Sequence, residues 1–196
     1  MVRVLGGMFR GFQLDTPKAI RATESKVRQA LFNILTGAVE GARVLDGYAG
    51  SGALGIEALS RGAAYVLFVE QDTDAILTIR DNLERLEREP DRGEWRVVHQ
   101  DFERALQGLR GREAPFDLVL LDPPYRTDDV KKALNALAGC AMLAPAGVVV
   151  VEHEKRTELP SSIGPLQRRR QHRYGDTVLS LYQEGPASTS RSDHLP

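Results

Sequence analysis

From residue 43 to residue 154 the chain alternates between two apolar patterns, and that alternation limits the possible folds more than any other feature. The segments ARVLDGY, AYVLFVEQD, EWRVVHQD, FDLVLLDPPY and GVVVVEHE read as strands. Between them, GALGIEALSRG, TDAILTIRDNLERLERE, FERALQGLRG and TDDVKKALNALAGCAML carry helical spacing. Runs such as Leu118-Val119-Leu120-Leu121 do not alternate polar with apolar, so they read as strands covered on both faces. A helix between each pair of strands makes those strands parallel. The end differs, because LQRRRQHRY, GD and TVLSLYQ read as two antiparallel strands joined by a tight turn. The expected fold is α/β: a mostly parallel seven-stranded sheet with helices on both faces, closed by a C-terminal antiparallel hairpin.

The segment before residue 43 has another character. Residues 2–14, VRVLGGMFRGFQL, mix β-formers with glycines and predict a short hairpin with GGMFRG at its turn. TESKVRQALFNILTGAV then places Val27, Ala30, Leu31, Ile34, Leu35 and Ala38 on one helical face, with Thr23 or Ser25 as the starting cap. Three regions follow: an N-terminal hairpin and helix over 1–40, the α/β domain over 41–184, and a disordered tail over 185–196, which has little to bury. The chain of 196 residues has no apolar run of membrane-span length, and its single cysteine, Cys140, excludes an internal disulfide. A cytoplasmic monomer is expected. Charge is unevenly spread. Residues 1–43 carry seven Lys/Arg against three Asp/Glu, residues 44–154 twelve against twenty, and residues 155–183 six against two. Two basic flanks around an acidic middle fit a polyanionic partner. The basic residues in question are Arg3, Arg10, Lys18, Arg21, Lys26 and Arg28, with Arg168, Arg169 and Arg170 in the last hairpin. A charge-protected edge strand is the competing explanation for the arginine run.

The turn after the first parallel strand reads LDGYAGSGALG. Gly50, Gly52 and Gly55 spell GxGxxG at a strand-to-helix junction, and Glu70 ends the next strand. Glycines there let the backbone approach a ligand, and the distal acid suits ribose hydroxyls. Two cofactors satisfy this pattern. A nicotinamide dinucleotide would set its pyrophosphate at the helix N-terminus. S-adenosylmethionine carries an ammonium instead, and Asp46, four residues before Gly50, supplies a carboxylate for it. Asp101, after the third strand, could accept from an adenine amino group. With Asp122, four acids end four parallel strands, at the sheet edge where such folds bind ligands.

The fourth of these strands ends in Asp122-Pro123-Pro124-Tyr125. Neither proline can donate to a ladder and each fixes φ, so a carboxylate and a ring are held on a stiff lip. An ordinary Asp-Pro turn is the alternative.

LDGYAGSG and DPPY, 76 residues apart from Asp46 to Asp122, resemble a class I S-adenosylmethionine-dependent methyltransferase acting on exocyclic amines of nucleobases. With GGMFRG, RATESKVRQALFNIL and YGDTVLSLY, the chain is similar to the RsmD family of bacterial 16S rRNA guanine-N2 methyltransferases up to Tyr182. The resemblance implies a Rossmann-like fold, S-adenosylmethionine as cofactor, no metal, and 16S rRNA or the small ribosomal subunit as partner. It also implies a cofactor site of Asp46, Tyr48, Gly50, Ser51, Gly52, Glu70, Gln71, Asp101 and Phe102. Asp122 and the Pro123 carbonyl would accept the two N–H bonds of the target amine, with Pro124 stiffening the lip and Tyr125 stacking on a flipped base. Three positions depart from the pattern. Gly47 replaces an apolar residue, which predicts a looser cofactor loop, and Ala22 and Ser25 replace a proline and an aspartate on the RNA side. Three other readings stay open: an adenine-N6 methyltransferase, which shares DPPY, a nicotinamide oxidoreductase, and a non-catalytic RNA-binding assembly factor.

Overall fold

The computed structural model describes residues 2–17, 25–86, 93–123 and 127–185. Strands β1 (Val2–Arg3) and β2 (Gln13–Leu14) pair antiparallel, so the N-terminal hairpin forms as a two-stranded ribbon. Helix α1 spans Ser25–Ile34 and is shorter than its apolar spacing predicts. Thr36 turns its hydroxyl back onto the Asn33 carbonyl at 2.8 Å, and Gly37 follows at φ 82°, which ends the helix before Ala38. The proposed cap Thr23 lies outside the described residues.

Five parallel strands follow: β3 (Arg43–Gly47), β4 (Tyr65–Glu70), β5 (Glu94–His99), β6 (Phe116–Leu121) and β7 (Leu143–Glu154). They alternate with α2 (Ala53–Ser60), α3 (Thr73–Leu86), α4 (Phe102–Leu109) and α5 (Thr127–Ala138). Strands β8 (Ser162–Ile163), β9 (Leu166–Tyr174) and β10 (Thr177–Glu184) complete one sheet, in the order β5-β4-β3-β6-β7-β10-β9-β8. The sheet therefore has eight strands rather than seven. The addition is the two-residue β8, too short to leave a periodic signal, which caps the outer edge of β9. The junction between α5 and β7 also moves. α5 stops at Ala138 and β7 starts at Leu143, with Ala141 at φ 51° turning the chain between them.

The strand order reverses between β3 and β6, so the crevice between their carboxyl ends is the ligand-binding position of a doubly wound sheet. Helices α1, α2 and α3 cover one face through Leu31, Ile56 and Ile79, packed with Val44, Phe68 and Leu120. Helices α4 and α5 cover the other through Leu106 and Leu134, packed with Leu45, Val119 and Val151. Val4, Phe9 and Leu14 of the N-terminal hairpin join the first of these clusters, so the hairpin shares the core of the α/β region. No helix among the described residues is long and apolar enough to cross a membrane.

Candidate active site

β3 delivers Asp46 to the crevice and then turns through the glycine loop. Gly50 and Gly52 adopt left-handed φ values of 56° and 77°, which only glycine takes without strain, and Gly52 opens α2. Asp46 is buried beneath the loop, and its Oδ2 accepts the Gly55 N–H at 2.8 Å. Burial pushes its carboxyl up to about 7 against the opposing effect of that bond, and the charges of Asp122 and Glu70 push the same way as burial. Asp46 thus holds the glycine loop directly through this bond.

Glu70, at the end of β4, ties the same loop from the other side. Its Oε2 accepts the Gly50 N–H at 2.8 Å, while Oε1 accepts from Gln71 and Asp72 at 2.8 and 2.9 Å. Three donors leave about one of a carboxylate's roughly four acceptor positions open. Asp101 caps α4, accepting the Arg104 N–H at 3.2 Å, and remains half-exposed. Gln71 is exposed, and its carbonyl meets His99 Nε2 at 3.0 Å. Ser51 is buried in the loop, and its carbonyl accepts from Asn82 at 3.2 Å.

Tyr48 stands at φ 63° with its ring tilted 33° against Phe102, the centroids 5.0 Å apart. Burial pushes its hydroxyl upward, with Glu103 and Asp101 adding to the effect, so the ring is a neutral phenol. Gly47 corrects an expectation here. A Cβ at Gly47 would lie 2.5 Å from Phe102 Cε2 and 2.8 Å from Leu121 Cδ2. The space an apolar side chain would take is filled by Phe102, so the loop floor is tightly packed rather than loosened.

Asp122 follows β6 half-exposed, with Pro123 buried behind it. Asp46 pairs in register with Leu120, and side chains alternate across the sheet, so Asp122 falls on the same face two residues further out. Asp46, Glu70 and Asp122 therefore come together on one face of the crevice edge, and the charges of Asp122 and Glu70 both bear on Asp46. Pro124 and Tyr125 lie outside the described residues, as do Lys18, Arg21 and Ala22.

The basic residues divide. Arg3, Arg10, Lys26, Arg169 and Arg170 are exposed, while Arg168 is half-buried and donates to the Leu159 carbonyl at 2.7 Å. Arg28 is corrected: it is fully buried and cannot present charge to RNA. Its guanidinium bonds the Arg3 carbonyl and lies 3.8 Å from Glu57 Oε2, itself fully buried. Glu57 also accepts the N–H groups of Leu5 and Gly6 at 2.7 and 2.8 Å and pairs with Arg61 at 2.8 Å. This cluster clasps the N-terminal hairpin and α1 onto α2. Nothing in the apolar spacing of α1 could show it, because an arginine two residues from a lysine reads as surface.

A topological switch point, a glycine loop tied by two strand-end acids and a proline-stiffened third acid together define a Rossmann-like class I methyltransferase. The chain matches the family model described as Conserved hypothetical protein 95 over residues 2–183. It is 38% identical over 185 residues to YlbH of Bacillus subtilis (strain 168), spanning 93% of this chain and 99% of that protein. It is 34% identical over 194 residues to ribosomal RNA small subunit methyltransferase D of Escherichia coli (strain K12), spanning 98% and 94%. The solved structure of Escherichia coli yhhF superposes with a TM-score of 0.80 at 34% identity, covering 93% of this chain and 97% of that one. The chain belongs to the RsmD family.

Proposed function

We propose that this protein transfers a methyl group from S-adenosylmethionine to the exocyclic N2 amine of a guanine in 16S rRNA, within the small ribosomal subunit or an assembly intermediate. The observation that carries the reading is the convergence of Asp46, Glu70 and Asp122 on one face of the crevice edge, beside the glycine loop. Similarity to ribosomal RNA small subunit methyltransferase D over nearly the full length supports the RNA substrate. A nicotinamide oxidoreductase has no use for an acid on a proline lip.

The residues present fit the cofactor. Glu70 keeps acceptor capacity for a ribose hydroxyl, Asp101 is open enough to take an adenine amino group, and the Asp46 field favours an ammonium. S-adenosylmethionine, when bound, supplies an electrophilic methyl group on a sulfonium. The protein's own task is the nucleophile. The lone pair of guanine N2 is delocalised into the ring, and acceptors on both its N–H groups localise it toward the incoming methyl. Asp122 and the Pro123 carbonyl serve as those acceptors, and the proline backbone fixes their direction. Asp122 then receives the proton the amine loses, or passes it to solvent. Tyr125 stacks on the flipped base. Arg3, Arg10 and Lys26 on one flank, with Arg168, Arg169 and Arg170 on the other, contact phosphates. Residues 1–40 form the RNA-facing extension and 41–184 the catalytic region.

Incubation with radiolabelled S-adenosylmethionine and three substrates tests the reading: naked 16S RNA, small subunits lacking the modification, and duplex DNA. Label in 16S RNA recovered as N2-methylguanosine is expected. Label confined to DNA, or in adenine, would overturn it.

A further inference from the structure

Asn82 of α3 is fully buried. Its amide offers donor positions on Nδ2 and acceptor positions on Oδ1, and both ends are fully engaged. Oδ1 accepts the Asp15 N–H at 2.9 Å and the Arg85 guanidinium at 2.6 Å. Nδ2 donates to the Asp15 carbonyl at 3.0 Å and to the Ser51 carbonyl at 3.2 Å. One amide therefore joins the end of the N-terminal hairpin, just past β2, to the middle of the glycine loop. Ile79, one turn earlier on α3, backs the same loop: a Cβ at Gly52 would lie 3.3 Å from its Cγ1.

The amide cannot be turned over. Asp15 presents its own N–H to one end and its own carbonyl to the other, so a flip would set donor against donor and acceptor against acceptor. Asp15 thus fixes which end faces the loop, and that end is the donor a buried carbonyl requires. Glu70 and Asp46 take the loop's N–H groups at Gly50 and Gly55, and Asn82 takes the carbonyl between them. Arg85 secures the hairpin side, donating to the Gln13 carbonyl at 3.1 Å and lying 3.4 Å from Asp15 Oδ2. We infer that Asn82 is a positioning residue for the cofactor: it holds the glycine loop in shape through the Ser51 carbonyl, and the N-terminal hairpin holds Asn82 through Asp15. The hairpin that carries Arg3 and Arg10 toward RNA therefore also supports the cofactor loop. The inference rests on the glycine loop binding S-adenosylmethionine and deepens that reading.

The test uses the full chain, with NMR-detected amide exchange in the free protein and calorimetry with S-adenosylmethionine. Asn82→Asp keeps the shape and the acceptor but turns an oxygen toward the Ser51 and Asp15 carbonyls. The N–H groups of Gly50, Gly52 and Gly55 are bonded to Glu70, the Ala49 carbonyl and Asp46. Their exchange in the free variant should rise by about tenfold or more, and the S-adenosylmethionine Kd should rise by about tenfold. An Asn82 that merely secures the fold would raise exchange over α3 and the hairpin and leave the Kd of the folded protein unchanged. That result, or wild-type exchange at the three glycines, overturns the inference. Failure of the wild type to bind S-adenosylmethionine would defeat the cofactor reading instead, and the exchange rates would still decide whether Asn82 holds the loop. Should Asn82→Asp not fold, Arg85→Met decides, because Arg85 is exposed and its loss frees the hairpin end with the amide still in place. Exchange should then rise at Asp15 and at the three glycines together, and wild-type exchange at the glycines overturns the inference.

Discussion

The backbone N–H of Gly55 donates to Asp46 Oδ2 at 2.8 Å, and only glycine permits that approach. A Cβ at Gly55 would stand 2.2 Å from Phe68 Cε1 and 2.9 Å from the same oxygen. Phe68 and Asp46 therefore suffice to require glycine at the third glycine position of the loop. The bond draws the start of α2 against β3 and leaves a buried carboxyl whose titration reaches neutral pH.

That titration makes a first prediction. Asp46 ionises near 7 in the free protein, and a cationic ligand favours its charged form. S-adenosylmethionine affinity should rise as pH increases through about 7, with proton release on binding. It should fall again above about 8 as the ligand's α-amino group loses its charge. Calorimetry in buffers of different ionisation enthalpy measures both limbs, and Asp46→Asn should abolish the lower one.

The same residue affects stability with a definite sign. Its folded pKa lies above the unfolded value of about 3.9, so its contribution is fully present below that value and is lost as pH rises toward 7. His153 acts oppositely. Burial lowers its pKa, so its contribution is present above the unfolded value of about 6.5 and is lost as pH falls. Urea titrations between pH 4 and 8 should therefore show the difference between wild type and Asp46→Asn shifting with pH in favour of Asn as pH rises.

Arg28→Met should destabilise the protein by about 3–5 kcal/mol, because it strips a buried carboxylate of one partner. The remaining pair with Arg61 places the expected value at the lower end. Denaturant midpoints measure this. The salt dependence of RNA binding should not change in the folded fraction. Charge reversal at Arg10 or Arg170, both exposed, should instead lower the salt slope by about one per contact.

Much of this was legible from the residues. The apolar runs and the helical spacing between them fixed which segments are strands and which are helices, and the acids at strand ends located the crevice. What the pattern could not show depends on partners far apart in sequence. Arg28 reads as a surface cation until Glu57 and the Arg3 carbonyl are brought to it. Gly47 reads as a weakness until Phe102 fills its place. β8 is two residues long and carries no period.

Gly47→Ala should cost about 1–3 kcal/mol through overpacking against Phe102 and Leu121. Phe102→Leu in the same chain should recover part of that loss. A double-mutant cycle on unfolding free energies measures the coupling, and strict additivity would show that the two do not share the space.

Single-turnover methyl transfer to 16S RNA by Asp122→Ala and Asp122→Asn tests the proposal that Asp122 orients the amine that is methylated. Both variants should fold and bind S-adenosylmethionine as wild type does. Asp122→Ala should lose roughly 10²–10³ in rate, the effect of removing one preorganised hydrogen-bond partner. Asp122→Asn, which keeps one acceptor oxygen, should lose less. Wild-type transfer by Asp122→Ala would reduce the Asp-Pro-Pro lip to a turn with no part in orienting the amine.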